Sequence, residues 1–158
     1  MTGPVARIVS GGQTGVDRGA LDAGRRLGIP VGGWCPAGGL AEDLPGEPGV
    51  LALFPELRPT PSVDPGQRTQ WNVRDSDATL VLSRPGADSR GTDATVECAI
   101  ELGRPHLVAD VGDEGAVRAW LADLPDDLVL NVAGPRESEA PGIGAQASAL
   151  LLSLLDTT

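Results

Sequence analysis

The chain has 158 residues and a formal net charge of -10, and all 12 of its basic residues are arginines. Its length suits a single domain over residues 1–158, and its 41% hydrophobic and 22% charged residues exclude a disordered or fibrous chain. The acidic surface repels nucleic acid and anionic membranes, so we expect neither as a partner, and any anion site must be local.

Short apolar runs alternate with helical patterns along the chain. The runs predict strands at 5–9, 29–31, 78–82, 106–109 and 128–132. The amphipathic patterns predict helices at 17–27, 64–75, 92–102, 114–124 and 142–155. This alternation predicts a three-layer, Rossmann-like α/β domain with a parallel sheet of about five or more strands in the order 2-1-3-4-5. Residues 34–63, rich in glycine and proline, receive no regular structure.

The stretch SGGQTGVD follows the first strand and opens the first helix. Glycine permits close backbone approach, Thr14 adds a hydroxyl, and the helix N-terminus is positive, so the pattern predicts an anion site. The alternative is a tight turn that uses glycine for geometry alone. The stretch lacks the lysine of a Walker loop and the glycine spacing of a dinucleotide fingerprint. Asp17 is interpreted as a helix cap. The candidate binding residues are Gly11, Gly12, Gln13, Thr14 and Gly15.

The loop after the third strand, LSRPGADSRGTDATVE, repeats this chemistry. Ser83 ends the strand, and Gly91 with Thr92 opens a helix, so all three are candidate ligand contacts. Arg84 and Arg90 either supply positive charge or are solvated. Ligands of open parallel sheets bind where the strand order reverses, so we expect this loop to face the first one across a cleft.

Three further stretches supply candidates. QRTQWNVRD places Arg68, Trp71 and Asn72 on one helix face, as ligand contacts or as packing and capping groups. GGWCP contributes Trp34, a side chain able to stack on a flat ring. LNVAGPRES contributes Arg136, a phosphate clamp or a structural ion pair. One histidine and two cysteines at unrelated positions form neither a hydrolytic triad nor a metal motif, so we predict no metal site.

Five stretches together resemble the molybdenum-cofactor carrier family: SGGQTGVDR, GGWCP followed by AED, RTQWNVRDSDATLVL, GT opening a helix, and LNVAGPRES followed by PGI. The resemblance covers about residues 7–144. The family is similar in fold to the SLOG group, which includes the LOG phosphoribohydrolases. The resemblance implies binding of molybdenum cofactor, a pterin with a phosphate and a molybdenum-dithiolene head. It also implies a homodimer or homotetramer, with a molybdoenzyme or cofactor-insertion protein as a further partner.

The leading hypothesis is a cytoplasmic, non-catalytic protein that carries or stores an anionic, phosphate-bearing cofactor. Molybdenum cofactor is the most concrete choice, and a nucleotide or other phosphate ligand stays open. The rival is a LOG-like nucleoside 5'-monophosphate phosphoribohydrolase with Glu97 as the catalytic residue. In the LOG signature the glutamate follows threonine by three residues, whereas Glu97 follows Thr92 by five. A nucleotide-sensing module is the third hypothesis. The longest apolar run, near 149–155, is too short to span a bilayer.

Overall fold

The computed structural model describes residues 3–156. Its six strands are β1 (Val5–Val9), β2 (Val31–Cys35), β3 (Leu57–Pro59), β4 (Ala78–Ser83), β5 (His106–Asp110) and β6 (Leu128–Ala133). Its five α-helices are α1 (Val16–Leu27), α2 (Pro65–Arg74), α3 (Arg90–Glu101), α4 (Glu114–Ala122) and α5 (Ile143–Leu155). All strand pairs are parallel. The three-layer α/β class and all five predicted helices are therefore confirmed.

Continuous apolar runs place the central strands inside the molecule. In β4, Leu80, Val81 and Leu82 are all fully buried, so both faces of the strand are covered. Helix α1 packs against α5, and α2 packs against α3. Burying one large aliphatic side chain stabilises the fold by about 1.5–3 kcal/mol, so these strands carry much of the core. Between residues 3 and 156, none of the helices has the length and hydropathy needed for a transmembrane segment.

The strand order differs from the predicted 2-1-3-4-5. The sheet runs β3-β2-β1-β6-β4-β5, so the last strand lies between β1 and β4 instead of at an edge. Ile8 of β1 and Ala78 of β4 both align with Leu130 of β6. The central position agrees with the burial of β6, because Leu130 is fully buried. The consequence for the site is that the loops after β1 and β4 flank β6 and do not lie on adjacent strands.

The stretch 34–63 contains the end of β2, two short 3-10 turns and β3, a strand that was not predicted. The turns are Ala37–Gly39 and Gly49–Ala52, and β3 is an edge strand of only three residues. The buried side chains of Val50 and Phe54 attach this stretch to the core. The absence of a sequence prediction here therefore reflects short elements in an ordered segment.

Helices α1 and α5 come close enough that one glycine has no room for a side chain. A Cβ on Gly19 would lie 2.2 Å from the carbonyl oxygen of Gly144. The backbone of α5 cannot move aside without disturbing the core beneath it, where Ile143 and Ala147 are fully buried. Gly19 is therefore required by helix packing.

We predict that Gly19→Ala lowers the free energy of unfolding by about 1–3 kcal/mol, although alanine has the higher helix propensity. Gly115→Ala in α4 is the matched control, since its Cβ would approach nothing closer than 3.8 Å. Urea unfolding of both variants and the parent tests this. An unchanged midpoint for Gly19→Ala would show that the two helices separate easily.

Candidate functional site

A cleft of about 710 Å³ opens at the carboxyl ends of β1, β6 and β4. The loop after β1, helix α2, the start of α3 and the loop after β6 line it, and Asn131 and Ala133 are contributed by β6. Ligands of parallel α/β sheets bind at such a point, where the strand order reverses. The volume lies within the range of about 300–1,000 Å³ typical of small-molecule sites. The cleft is therefore the candidate binding site.

A buried ion pair joins α2, the loop after β1 and the first turn of α1. Nη1 of Arg68 donates to the Gly11 carbonyl at 2.9 Å and lies 3.6 Å from Oδ2 of Asp17. The two side chains are only 12% and 8% exposed. The Gln13 amide donates to the same Oδ2 at 3.3 Å. Burial raises the pKa of Asp17, and the charge of Arg68 is the largest influence in the opposite direction. A Cβ on Gly11 would lie 2.3 Å from Nη1 of Arg68, so this glycine makes room for the cation.

The start of α1 departs from the predicted anion site. Gly15 is the N-cap, and no side chain in the described part of the chain caps the helix, so the interpretation of Asp17 as a helix cap is wrong. The Val16 amide donates to the Pro135 carbonyl at 3.2 Å. The Gln13 and Thr14 amides donate to side-chain oxygens of Asp17 and Gln13. The protein itself thus uses three of the amides at this turn.

The start of α3 is more open to the cleft. Ser89 caps the helix by accepting from the Thr92 amide at 3.2 Å, and Arg90 and Gly91 line the cleft. A Cβ on Gly91 would meet nothing closer than 3.9 Å, so the backbone there has free space around it. Asp93 also lines the rim. This helix N-terminus offers a positive end beside an arginine.

Three of the described arginines line the cleft: Arg68 from α2, Arg90 from α3 and Arg136 from the loop after β6. The same lining contains the acidic residues Asp17, Asp88, Asp93 and Glu139. Arg136 is shared between Glu139 at 3.3 Å and Glu42 at 3.6 Å. Arg90 is exposed and forms no ion pair within residues 3–156. In the same part of the chain, no group of three or more histidine, cysteine, aspartate or glutamate side chains is arranged to hold a metal ion.

The predicted binding residues divide into two sets. Six of them line the cleft: Gly11, Gln13, Arg68, Asn72, Gly91 and Arg136. Asn72 also joins α2 to β2, because its side-chain oxygen accepts from the Trp34 amide at 2.7 Å and its amide donates to the Trp34 carbonyl at 2.9 Å. Those predicted residues that lie outside the cleft lining are Gly12, Thr14, Gly15, Trp34, Trp71, Ser83, Thr92 and Glu97.

Packing explains why several of the predicted binding residues lie outside the cleft lining. A Cβ on Gly12 would meet Leu57 and Val50, and one on Gly15 would meet the Pro135 carbonyl, so both glycines face protein. Ser83 ends β4, and its carbonyl accepts from the Val111 amide. The hydroxyl of Thr92 is buried without a hydrogen-bond partner among the described residues, and Glu97 is exposed on α3.

The two tryptophans form a structural pair away from the cleft. Trp34 and Trp71 meet edge to face with ring centroids 4.8 Å apart. Nε1 of Trp34 donates to Asp75 at 2.9 Å, and the guanidinium of Arg74 lies 4.8 Å from the ring centroid of Trp71. These contacts fix α2 on β2, and neither tryptophan is among the residues that line the cleft.

Sequence reasoning gave no role to Glu42, which connects the 34–63 stretch to the loop after β6. Its carboxylate accepts from the Ser138 hydroxyl at 2.6 Å, from the Ser138 amide at 3.2 Å and from the Thr14 hydroxyl. Next to it, Asp43 pairs with Arg18 at 2.7 Å. The triplet AED, residues 41–43, was the sequence feature that could have pointed to Glu42 and Asp43. Sequence reasoning also missed Ser89 and Asn131, although both lie just before a helix or near the carboxyl end of a strand.

Glu42 makes a pH-dependent contribution to stability. The hydrogen bonds from Ser138 and Thr14 hold the pKa of Glu42 below its ordinary value. A carboxyl with a depressed pKa in the folded state stabilises the protein above its unfolded pKa, and this stabilisation is lost as the pH falls through the folded pKa. The contribution is therefore present at neutral pH and disappears in acid.

We predict that Glu42→Gln lowers the free energy of unfolding at pH 7 by about 1 kcal/mol. The difference from the parent shrinks as the pH falls below about 4, near the ordinary pKa of glutamate. Denaturant unfolding across this pH range measures it, with Glu47→Gln, an exposed glutamate of the same stretch, as control. A difference that stays constant with pH would contradict the assignment.

The fold and the cleft define a Rossmann-like ligand-binding domain. Residues 8–155 match the circularly permutated YpsA SLOG family. The chain belongs to this family, and the resemblance in its motifs is confirmed. A crystal structure from Syntrophus aciditrophicus SB, of a protein named "Putative molybdenum carrier protein", is similar with a TM-score of 0.84 and 37% identity over 96% of this chain and 95% of that one. No curated protein matches the chain. These similarities support a ligand-binding role.

Proposed function

We propose that the chain carries or stores a small phosphate-bearing anion in the cleft, and that molybdenum cofactor is this cargo. The observation that carries the proposal is the placement of Arg90, which forms no ion pair within residues 3–156, beside the N-terminus of α3 in a cleft that Arg68 and Arg136 also line. The name of the 37% identical neighbour supports the choice of cargo. In molybdenum cofactor the pterin's own sulfurs hold the metal, so the protein has to recognise the phosphate and the ring.

The phosphate fits best at the start of α3. Arg90 is unpaired among the described residues, and the guanidinium fork matches two phosphate oxygens at once. The helix N-terminus and the open space at Gly91 add a positive end that a phosphate can approach closely. Arg136 faces the same cleft from the loop after β6. The start of α1 is less suitable, because the carboxylate of Asp17 already lies there.

The positions of the acidic residues favour binding over LOG-like hydrolysis. Three residues after Thr92, where the LOG signature has glutamate, this chain has Thr95. The Thr95 hydroxyl donates to the Gly91 carbonyl at 2.8 Å. Glu97 is exposed and lies outside the cleft lining. We extend the proposal to a cytoplasmic homodimer or homotetramer that releases its cargo to a molybdoenzyme or a cofactor-insertion protein.

We predict that Arg90→Gln weakens binding of molybdenum cofactor by about 10-fold, since one charged hydrogen bond contributes roughly 1.5 kcal/mol. The cofactor is released from a denatured molybdoenzyme under anaerobic conditions, and bound pterin is measured after gel filtration. Arg118→Gln in α4 is the matched control, because Arg118 pairs with Glu114 on the surface and lies outside the cleft lining. Equal affinity of the Arg90→Gln variant and the parent would exclude a phosphate at the start of α3.

Native mass spectrometry and metal analysis of freshly purified protein test the cargo itself. The expected result is a pterin copurified with molybdenum. If the protein binds no molybdenum cofactor in either experiment, the proposed function is wrong. Incubation with AMP and chromatography for free adenine tests the LOG-like alternative, for which we expect no release.

A further inference from the structure

The innermost part of the cleft combines hydrogen-bond acceptors with one cation. Asp17 and Asn131 line it and are only 6% and 3% exposed. The Nδ2 group of Asn131 donates to the Thr79 hydroxyl oxygen at 3.3 Å, and within residues 3–156 its side-chain oxygen accepts no hydrogen bond. Arg68 uses Nη1 for Gly11 and Asp17, and its other N–H groups have no acceptor in that part of the chain.

Buried polar groups are costly unless they are hydrogen-bonded, so the unused amide oxygen of Asn131 and the unused N–H groups of Arg68 indicate what a ligand supplies. Asp17 is already held by Arg68 and the Gln13 amide through Oδ2, and a carboxylate has further lone pairs with which it can accept from a ligand. A carboxylate and an amide oxygen accept hydrogen bonds, and a guanidinium donates them. The complementary ligand edge has two N–H donors and one carbonyl acceptor. A 2-amino-4-oxopyrimidine ring has this edge, with its carbonyl, ring N–H and amino group in sequence.

We propose that Asp17, Asn131 and Arg68 bind the edge of a 2-amino-4-oxopyrimidine ring, the ring shared by pterins and guanine. Asp17 accepts from the ring N–H and the amino group, Arg68 donates to the ring carbonyl, and Asn131 supplies a further acceptor. This inference rests on the proposed function, because it places the ring at the bottom of the cleft and the phosphate at the start of α3. In this arrangement the buried groups of Asp17, Asn131 and Arg68 determine which heterocyclic ring the cleft binds.

The test compares two fluorescent ligands that differ at one position of the ring. Pterin-6-carboxylate carries the 2-amino group, and lumazine-6-carboxylate carries a carbonyl there that would face the carboxylate of Asp17. We expect the parent protein to bind the pterin at least about 10-fold more tightly, since a buried acceptor left unpaired costs about 1–3 kcal/mol. Fluorescence anisotropy titration gives both dissociation constants and needs no variant.

The variant Asp17→Asn tests which residue discriminates. An asparagine replaces one acceptor with a donor, so we expect the pterin-to-lumazine preference to fall to about 3-fold or less. Asp123→Asn, at an exposed position after α4, is the control and retains the parent's preference. Thermal unfolding identifies any general loss of structure, and the comparison of ligands on the parent holds even if Asp17→Asn unfolds.

Two sets of results separate this inference from the proposed function. Equal affinity for the two ligands, or an unchanged preference in a folded Asp17→Asn variant, overturns the ring assignment. Failure of pterin-6-carboxylate to bind a protein that does bind molybdenum cofactor also overturns it. If molybdenum cofactor does not bind either, the proposed function fails, and the ring assignment fails with it.

Discussion

The position of the Arg68 guanidinium determines the arrangement of the cleft. It reaches from α2 to the Gly11 carbonyl and to Asp17, so it joins α2, the loop after β1 and the first turn of α1. An unpaired buried carboxylate costs several kcal/mol, which makes Asp17 and Arg68 dependent on each other. Because a Cβ at Gly11 would overlap the guanidinium, glycine at this position makes room for the cation.

A second set of charged contacts holds the loop after β6 in place at the side of the cleft. Glu42 accepts from Ser138 and Thr14, and Arg136 lies within 3.6 Å of the same carboxylate. The stretch after β2 is thereby tied to the loop after β6, which supplies part of the cleft. Arg136 is consequently held by protein carboxylates before any ligand arrives, whereas Arg90 has no such partner between residues 3 and 156. The two rim arginines therefore differ in how readily they would bind an anion. An anion at Arg136 competes with Glu42 and Glu139 for the guanidinium.

The sequence predicted the elements well and their arrangement less well, for physical reasons. Continuous apolar runs such as β4 and β6 indicate burial on both faces, but they do not indicate which strands are neighbours. β3 has only three residues, one of them buried, and is too short to show a pattern. The cleft was predictable because loops at the carboxyl ends of parallel strands meet. The side-chain directions were not, because whether Gly12 or Gly15 faces a ligand or Leu57 and Pro135 depends on distant parts of the chain.

The two helix N-termini near the cleft are chemically different, and this difference bears on how the proposed ligand would be oriented. At α1 the buried Asp17 carboxylate lies beside the positive end of the helix, so a phosphate there would meet a negative charge. At α3 the capping group is the neutral Ser89, and Arg90 adds positive charge at the rim, where the acidic groups are exposed to solvent and screened. A molecule with a phosphate at one end and N–H donors at the other therefore gains most with its phosphate at α3. Its donors then point toward Asp17, whereas a reversed ligand would bring its phosphate close to this buried carboxylate.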